Sequence, residues 1–200
     1  MIGIYGGSFD PIHFGHLKTA TSIKDELAIE RLFLLPCYDP VHKSSLKYSS
    51  DQRLKMLSLA IEEFDDLEID SREILRGGSS YMIDTLKELV KVYREESICL
   101  IIGMDSFVNF KTWKQWDDFS DLVHLIILPR IGDQPSHKHL DTFKVVNNID
   151  QLKTHSNGLL YFSHSKLIDI SSSDIRGKIA KNQNLDNLMP ASVINFLQKI

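Results

Sequence analysis

Six short, mostly apolar runs alternate along this chain with stretches of helical spacing: Ile2–Tyr5, Arg31–Pro36, Leu67–Ile69, Ile98–Ile102, Val123–Leu128 and Leu159–Phe162. A strand that is apolar throughout must be covered on both faces, and strands separated by helices pair in parallel. The alternation therefore predicts an α/β fold, a Rossmann-like, doubly wound and mostly parallel sheet with helices on both faces. Leu17, Ala20, Ile23 and Leu27 share one side of the first helix; a capping box of Ser49 and Gln52 opens another, with Leu54, Leu57, Ile61 and Phe64 as its stripe; a third spans Tyr81 to Tyr93. Ser172 to Asn182 and a helix with Pro190 at its first turn make a small C-terminal helical part, about residues 171–200. The polar stretch 131–157, with Gly132, Pro135, Asn147 and Asn148, reads as an irregular excursion holding at most one further strand.

Two hundred residues, 42% of them hydrophobic, suffice for one good core, so a single domain over 1–200 is expected. The formal charge of -4 argues against a surface built to coat nucleic acid or an anionic membrane, and any phosphate-binding charge must be local. No apolar run approaches the roughly 18 residues of a membrane helix, and the N-terminus lacks the apolar region of a signal peptide. Cys37 and Cys99, far apart and within apolar runs, give neither a disulfide framework nor a metal-ligand spacing; a reducing cytoplasm fits them.

Ligands of doubly wound sheets bind outside the C-terminal ends of the strands. That rule gathers Gly6–His16, Pro36–Lys43, Gly103–Asp105 and Ser171–Arg176 around one crevice. A glycine pair after a buried strand lets backbone amides approach a phosphate, although it serves a plain turn as readily. His13 and His16 stand three residues apart at the entry to a helix with Gly15 between them, as donors for phosphoryl oxygens or as capping or core histidines. A zinc site lacks its remaining ligands. Serines at a helix start and Arg176 suit phosphate, or simple capping. Asp105 is placed for a ribose or for capping the next helix. Trp113 and Trp116, at helical spacing, read as core or as stacking rings, and Lys43 by itself as a solvated loop lysine.

Taken together these residues carry a resemblance. GGSFDPIHFGHL, residues 6–17, resembles the glycine-rich and HxGH signature of adenylyltransferases of the nucleotidyl transferase superfamily, and ISSSDIR, residues 170–176, resembles their ISSTxIR element. SYMIDTL (80–86), IGMDSF (102–107) and FKTWKQW (110–116) are similar to segments of the bacterial nicotinate-mononucleotide adenylyltransferases, in the same order over nearly the full length. The resemblance implies transfer of the adenylyl group of ATP to nicotinate mononucleotide, with His13, His16, Lys43 and Arg176 as catalytic residues. It implies ATP binding by Gly6, Gly7, Ser8, Phe9, His13, His16, Gly103, Asp105, Ser171, Ser172, Ile175 and Arg176. Tyr81, Met82, Asp84, Thr85 and Trp113 would hold the acceptor. Mg²⁺ would arrive with the ATP, no nucleic acid or membrane would be a partner, and homo-oligomerisation stays open.

Three positions depart from the family pattern: Asp39-Pro40-Val41 lacks the double proline before His42, and Met82 and Ser173 stand where threonines are usual. Rival readings are an adenylyltransferase for nicotinamide mononucleotide or pantetheine phosphate, and a nucleotide-binding regulator without catalysis. A class I aminoacyl-tRNA synthetase would need a KMSKS loop, whereas Lys55-Met56-Leu57-Ser58 falls inside an amphipathic helix. A dinucleotide dehydrogenase would need GxGxxG after the first strand.

Overall fold

The computed structural model describes residues 1–41, 46–129, 141–165 and 168–200. In chain order they form β1 (Ile2–Gly7), α1 (Phe14–Leu27), β2 (Arg31–Pro36), β3 (Asp39–Pro40), α2 (Ser50–Ala60), β4 (Leu67–Ile69), α3 (Arg72–Arg76) and β5 (Ser79–Ser80). There follow α4 (Met82–Val92), β6 (Ile98–Gly103), α5 (Met104–Val108), β7 (His124–Leu128), β8 (Lys144–Val146), α6 (Asp150–Thr154), β9 (Leu159–Phe162), α7 (Ser172–Ala180) and α8 (Ala191–Leu197).

Seven strands pair in the order β4-β2-β1-β6-β7-β9-β8, and every pairing is parallel. Successive side chains of a strand point to opposite faces. Ile2, Ile4, Leu100, Ile102, Leu125 and Ile127 thus join one core with Ile83, Leu86 and Leu89 of α4. Tyr5, Cys99, Ile101, Ile126 and Leu128 join the other with Leu17, Ala20, Ile23 and Leu27 of α1, Met56 and Leu57 of α2, and Val193 of α8. The expected two-sided cover of a parallel sheet is therefore present. Among the described residues no helix is long and apolar enough to cross a membrane.

The winding reverses between β1 and β6, which are neighbours in the sheet although far apart in sequence. At such a switch point the connections leave to opposite faces and open a crevice at the strand ends. Gly7 and Gly103 end these two strands.

Several elements lie beyond the sequence expectation. The two-stranded sheet of β3 and β5 pairs Asp39 with Ser79 and Pro40 with Ser80. The five-residue helices α3, α5 and α6 are too short to be stable alone and owe their form to packing. Within 131–157, β8 is the one strand among the described residues, and α6 adds an unforeseen helix; residues 130–140 lie outside the described ones.

Candidate active site

β1 runs into the turn Gly6-Gly7-Ser8, which lines a cavity of about 560 Å³. A Cβ on Gly7 would come 2.9 Å from Cζ of Phe9, whose ring is buried beneath the turn with a backbone φ of 46°. The side chain of Phe9 therefore belongs to the core, and only its main chain is available to a ligand. Asp10, also buried, accepts from the N–H groups of Lys47 and Tyr48, both at 2.9 Å, and so ties the glycine turn to the segment after the Lys43 loop. Lys43 itself lies outside the described residues.

His13 is the N-cap of α1: its Nδ1 accepts from the N–H of His16 at 3.3 Å. The proton of the neutral ring then sits on Nε2. Burial lowers the His13 pKa to about 4, so near neutral pH this side chain is an uncharged donor. The capping alternative is thus realised at His13, and it leaves Nε2–H available as a donor. His16 packs edge-on against Phe9, with 5.1 Å between ring centroids. Gly15 makes room for the pair, since a Cβ there would lie 2.8 Å from His13 Nδ1 and 3.0 Å from the carbonyl oxygen of Ile170.

The second signature segment is laced to the first across more than 150 residues of sequence. Arg176 Nη1 donates to the Asp10 carbonyl at 2.7 Å and lies 3.5 Å from its carboxylate, while Nη2 donates to Ser173 Oγ at 3.1 Å. Ser172 Oγ donates to the Pro11 carbonyl at 3.0 Å. Ser171 caps α7, accepting from the Asp174 N–H at 3.1 Å and donating to its carboxylate at 2.7 Å. The Ile175 side chain is core.

Across the cavity stand Tyr81, Met82, Ile83, Asn109, Trp113 and Lys114. Tyr81 is the N-cap of α4 without a side-chain capping bond, so the first-turn N–H groups of Met82 and Ile83 have no intrahelical acceptor at the cavity wall. Met82 reaches back to the glycine turn, and a Cβ on Gly6 would meet its Cε at 2.7 Å. Trp113 is backed by Phe110 and Phe119, with ring centroids 5.2 and 5.9 Å away. The helical spacing read for Trp113 and Trp116 does not hold: Trp113 is extended, and Gln115 turns the chain with a φ of 51° before the next 3-10 turn. Gly103 and Asp105 share the same cavity. The N-cap of α5 is Gly103, with Asp105 in the first turn, and the exposed Asp105 carboxylate joins burial in raising the pKa of Tyr5.

Two of the acceptor candidates are bonded to other side chains. Thr85 is fully buried, its hydroxyl donating to Glu73 Oε1 at 2.6 Å and accepting from Arg76 Nη2 at 2.9 Å, so it braces the wall from behind. Asp84 is paired with Lys114 at 2.8 Å, and Lys114 lies over the Tyr81 ring, 4.5 Å from its centroid. The sequence reading missed the buried Glu73, which lines the cavity, and the buried Arg53. A signal for Arg53 existed, because it shares a helix face with Leu57 and Ala60 at i, i+4 and i+7.

The cytidylyltransferase-like family model matches residues 4–178, a span that holds both signature segments. A protein of Vesicomyosocius okutanii subsp. Calyptogena okutanii named probable nicotinate-nucleotide adenylyltransferase is 44% identical over 200 residues, covering 100% of this chain and 95% of its own length. This chain belongs to that family. Another member, the probable nicotinate-nucleotide adenylyltransferase of Methylococcus capsulatus, is 34% identical, with 100% of this chain and 97% of the relative covered. The fold of this cytidylyltransferase-like chain is also that of the Plasmodium falciparum nicotinic acid mononucleotide adenylyltransferase complexed with NaAD. The two superpose with a TM-score of 0.70 over 99% of this chain and 94% of the other, at 18% identity.

Proposed function

We propose that the protein, acting as one nucleotidyl transferase domain, transfers the adenylyl group of ATP to nicotinate mononucleotide, giving nicotinate adenine dinucleotide and pyrophosphate in NAD biosynthesis. The observation that carries this reading is one cavity lined both by the glycine turn with Gly103 and Asp105 and by Tyr81, Met82 and Trp113. The acceptor's 5′-phosphate oxygen attacks the α-phosphorus in line as the bond from that phosphorus to the bridging oxygen breaks. The nucleophile is already ionised near neutral pH, so positioning and charge stabilisation supply the catalysis.

His13 donates through Nε2–H and His16 acts beside it on the α-phosphate and leaving group, while Arg176 and Lys43 take the β- and γ-phosphates. Arg176 is held by Asp10 and Ser173, within reach of the glycine turn. Gly6, Gly7, Ser8, Gly103 and Asp105 enclose the rest of the nucleotide. Trp113 offers a face to the pyridine ring, and the free amides at the start of α4 suit the carboxylate of nicotinate better than a carboxamide. Mg²⁺ would be held chiefly by the triphosphate, whose charge it offsets. A reducing cytoplasm suits Cys37 and Cys99, neither of which is in a disulfide.

The test is pyrophosphate release from ATP and Mg²⁺ with nicotinate mononucleotide, nicotinamide mononucleotide or pantetheine phosphate. The highest kcat/KM is expected with nicotinate mononucleotide. Preference for another acceptor would reassign the substrate, and no release with any of them would make the chain a nucleotide-binding regulator.

A further inference from the structure

Arg53 of α2 is 1% exposed. Its Nη1 donates to the carbonyls of Ser8 at 2.9 Å and Cys37 at 2.7 Å, and its Nη2 to the carbonyl of Tyr38 at 3.0 Å. Ser8 belongs to the turn after β1, and Cys37 and Tyr38 to the turn after β2 that leads towards Lys43. Ser8 and Cys37 both line the cavity. One guanidinium thus joins the two turns from below, next to a direct bond from the Cys37 N–H to the Gly7 carbonyl at 3.0 Å.

The chemistry is wrong for a side chain that only fills space. All three hydrogen-bond partners are neutral carbonyls, and burying a cation without a carboxylate costs stability that an apolar side chain of similar length would not incur. Nε has no partner among the described residues, so the arrangement satisfies the three carbonyls better than it satisfies the arginine.

What it does achieve is directional. In a trans peptide the C=O and the following N–H point opposite ways. Carbonyls drawn to the guanidinium therefore turn the N–H groups of Phe9, Tyr38 and Asp39 away from it, and for Tyr38 that direction is realised in a bond to Ser80 Oγ at 2.8 Å. A polyphosphate cleft needs its carbonyls withdrawn and its amides presented, and a buried cation under both turns adds positive potential there.

We infer that Arg53 is a positioning residue for adenylyl transfer: it sets the spacing of the glycine turn and the turn leading to Lys43, and through them the alignment of ATP with its acceptor. The identity of the ligands rests on the adenylyl-transfer reading; the linkage of the two turns does not.

Arg53→Met keeps the length and removes the donors, and Arg53→Lys keeps the charge but cannot span three carbonyls with a planar fork. For both, calorimetry should find about one ATP site per chain with Kd within about tenfold of wild type, while kcat falls about a hundredfold, the scale of a misaligned reaction pair. Hydrogen exchange of the free enzyme should accelerate in peptides covering residues 7–10 and 37–41 and stay unchanged over 98–103. A kcat within about threefold of wild type, a loss of kcat matched by a loss of ATP sites, unchanged exchange in both turns, or failure of both variants to fold would each overturn the assignment. If the wild type releases no pyrophosphate with any acceptor, the ligand reading falls, and exchange still decides whether Arg53 links the turns.

Discussion

The imidazole rings of His13 and His16 lie face to face, with 3.7 Å between centroids and 27° between planes. Burial holds His13 neutral down to a pKa of about 4, and its Nδ1 is spent on the His16 amide, which commits Nε2–H as its remaining donor. A buried neutral histidine stacked on a second one is a rigid pair of donors that need not reorganise as charge builds on phosphate.

Removal of His16 should therefore be felt in the chemical step. His16→Ala is expected to lower kcat by about a hundredfold or more while the circular dichroism spectrum and melting temperature stay near wild type. A near-normal kcat would remove His16 from the mechanism.

His13 carries two duties that one substitution can separate. Asparagine also caps helices well, so His13→Asn should keep most of the stability yet lose kcat, whereas His13→Ala should lose kcat and about 1 kcal/mol of stability. The pH dependence follows from the sign of the shift. With a folded pKa near 4 against the ordinary histidine value of 6.5, the unfolded chain binds the proton first as pH falls. Wild-type stability is complete above the unfolded value and is eroded between these two pKa values as pH falls through them. Urea titrations across that window should give a shallower slope for His13→Asn.

Gly15 has no room for a side chain. A methyl group would press on the His13 ring, which can give a little, and on the Ile170 main chain, which cannot. Gly15→Ala should cost about 1–3 kcal/mol by overpacking and lower kcat with it, read from chemical denaturation and initial rates. Wild-type values of both would mean that the 170 segment yields freely.

Trp113 forms part of the cavity wall while leaning on Phe110 and Phe119. Trp113→Ala should raise KM for nicotinate mononucleotide about tenfold and leave KM for ATP within about twofold, with a modest loss of melting temperature from the aromatic contacts. Equal rises for both substrates would make it a purely structural tryptophan.

Glu26 of α1 is a structural anchor. Its carboxylate accepts from Tyr161 Oη, Ser163 Oγ, the N–H groups of His164 and Ser165, and Ser165 Oγ, at 2.5 to 3.0 Å. Burial alone would raise its pKa, but the bonds from Ser165, Ser163, His164 and Tyr161 outweigh burial and hold it below the ordinary value of 4.5. Its stabilisation is therefore present above the unfolded pKa and is lost as pH falls through the lowered folded pKa. Glu26→Gln sets an amide NH₂ against a ring of donors and should cost on the order of 2–4 kcal/mol at neutral pH. The difference from wild type should shrink below pH 4.5, as followed by urea midpoints.

Much of the architecture was written in local pattern. The limits of β2, β4 and β9, the capping box of α2 and the parallel, doubly wound sheet follow from apolar runs and cap chemistry, because these act within a few residues of one another. The resemblance carried by residues 6–17 and 170–176 named the crevice, and the switch point between β1 and β6 lies where those glycines end their strands. What periodicity could not reach was set by partners distant in the chain. The helical spacing of Trp113 and Trp116 gave way to 3-10 turns packed on Phe110 and Phe119; Thr85 was drawn inward by Glu73 and Arg76; the serine hydroxyls of α7 were taken up by Pro11 and Asp174. The sequence by itself determined which residues could handle phosphate, since donor type and glycine freedom are properties of single residues and short turns. Only the tertiary structure decided which of them face the cavity and which, like Arg53 beneath the two turns, hold its walls, because a buried polar group takes whatever partner the packed chain brings within hydrogen-bond reach.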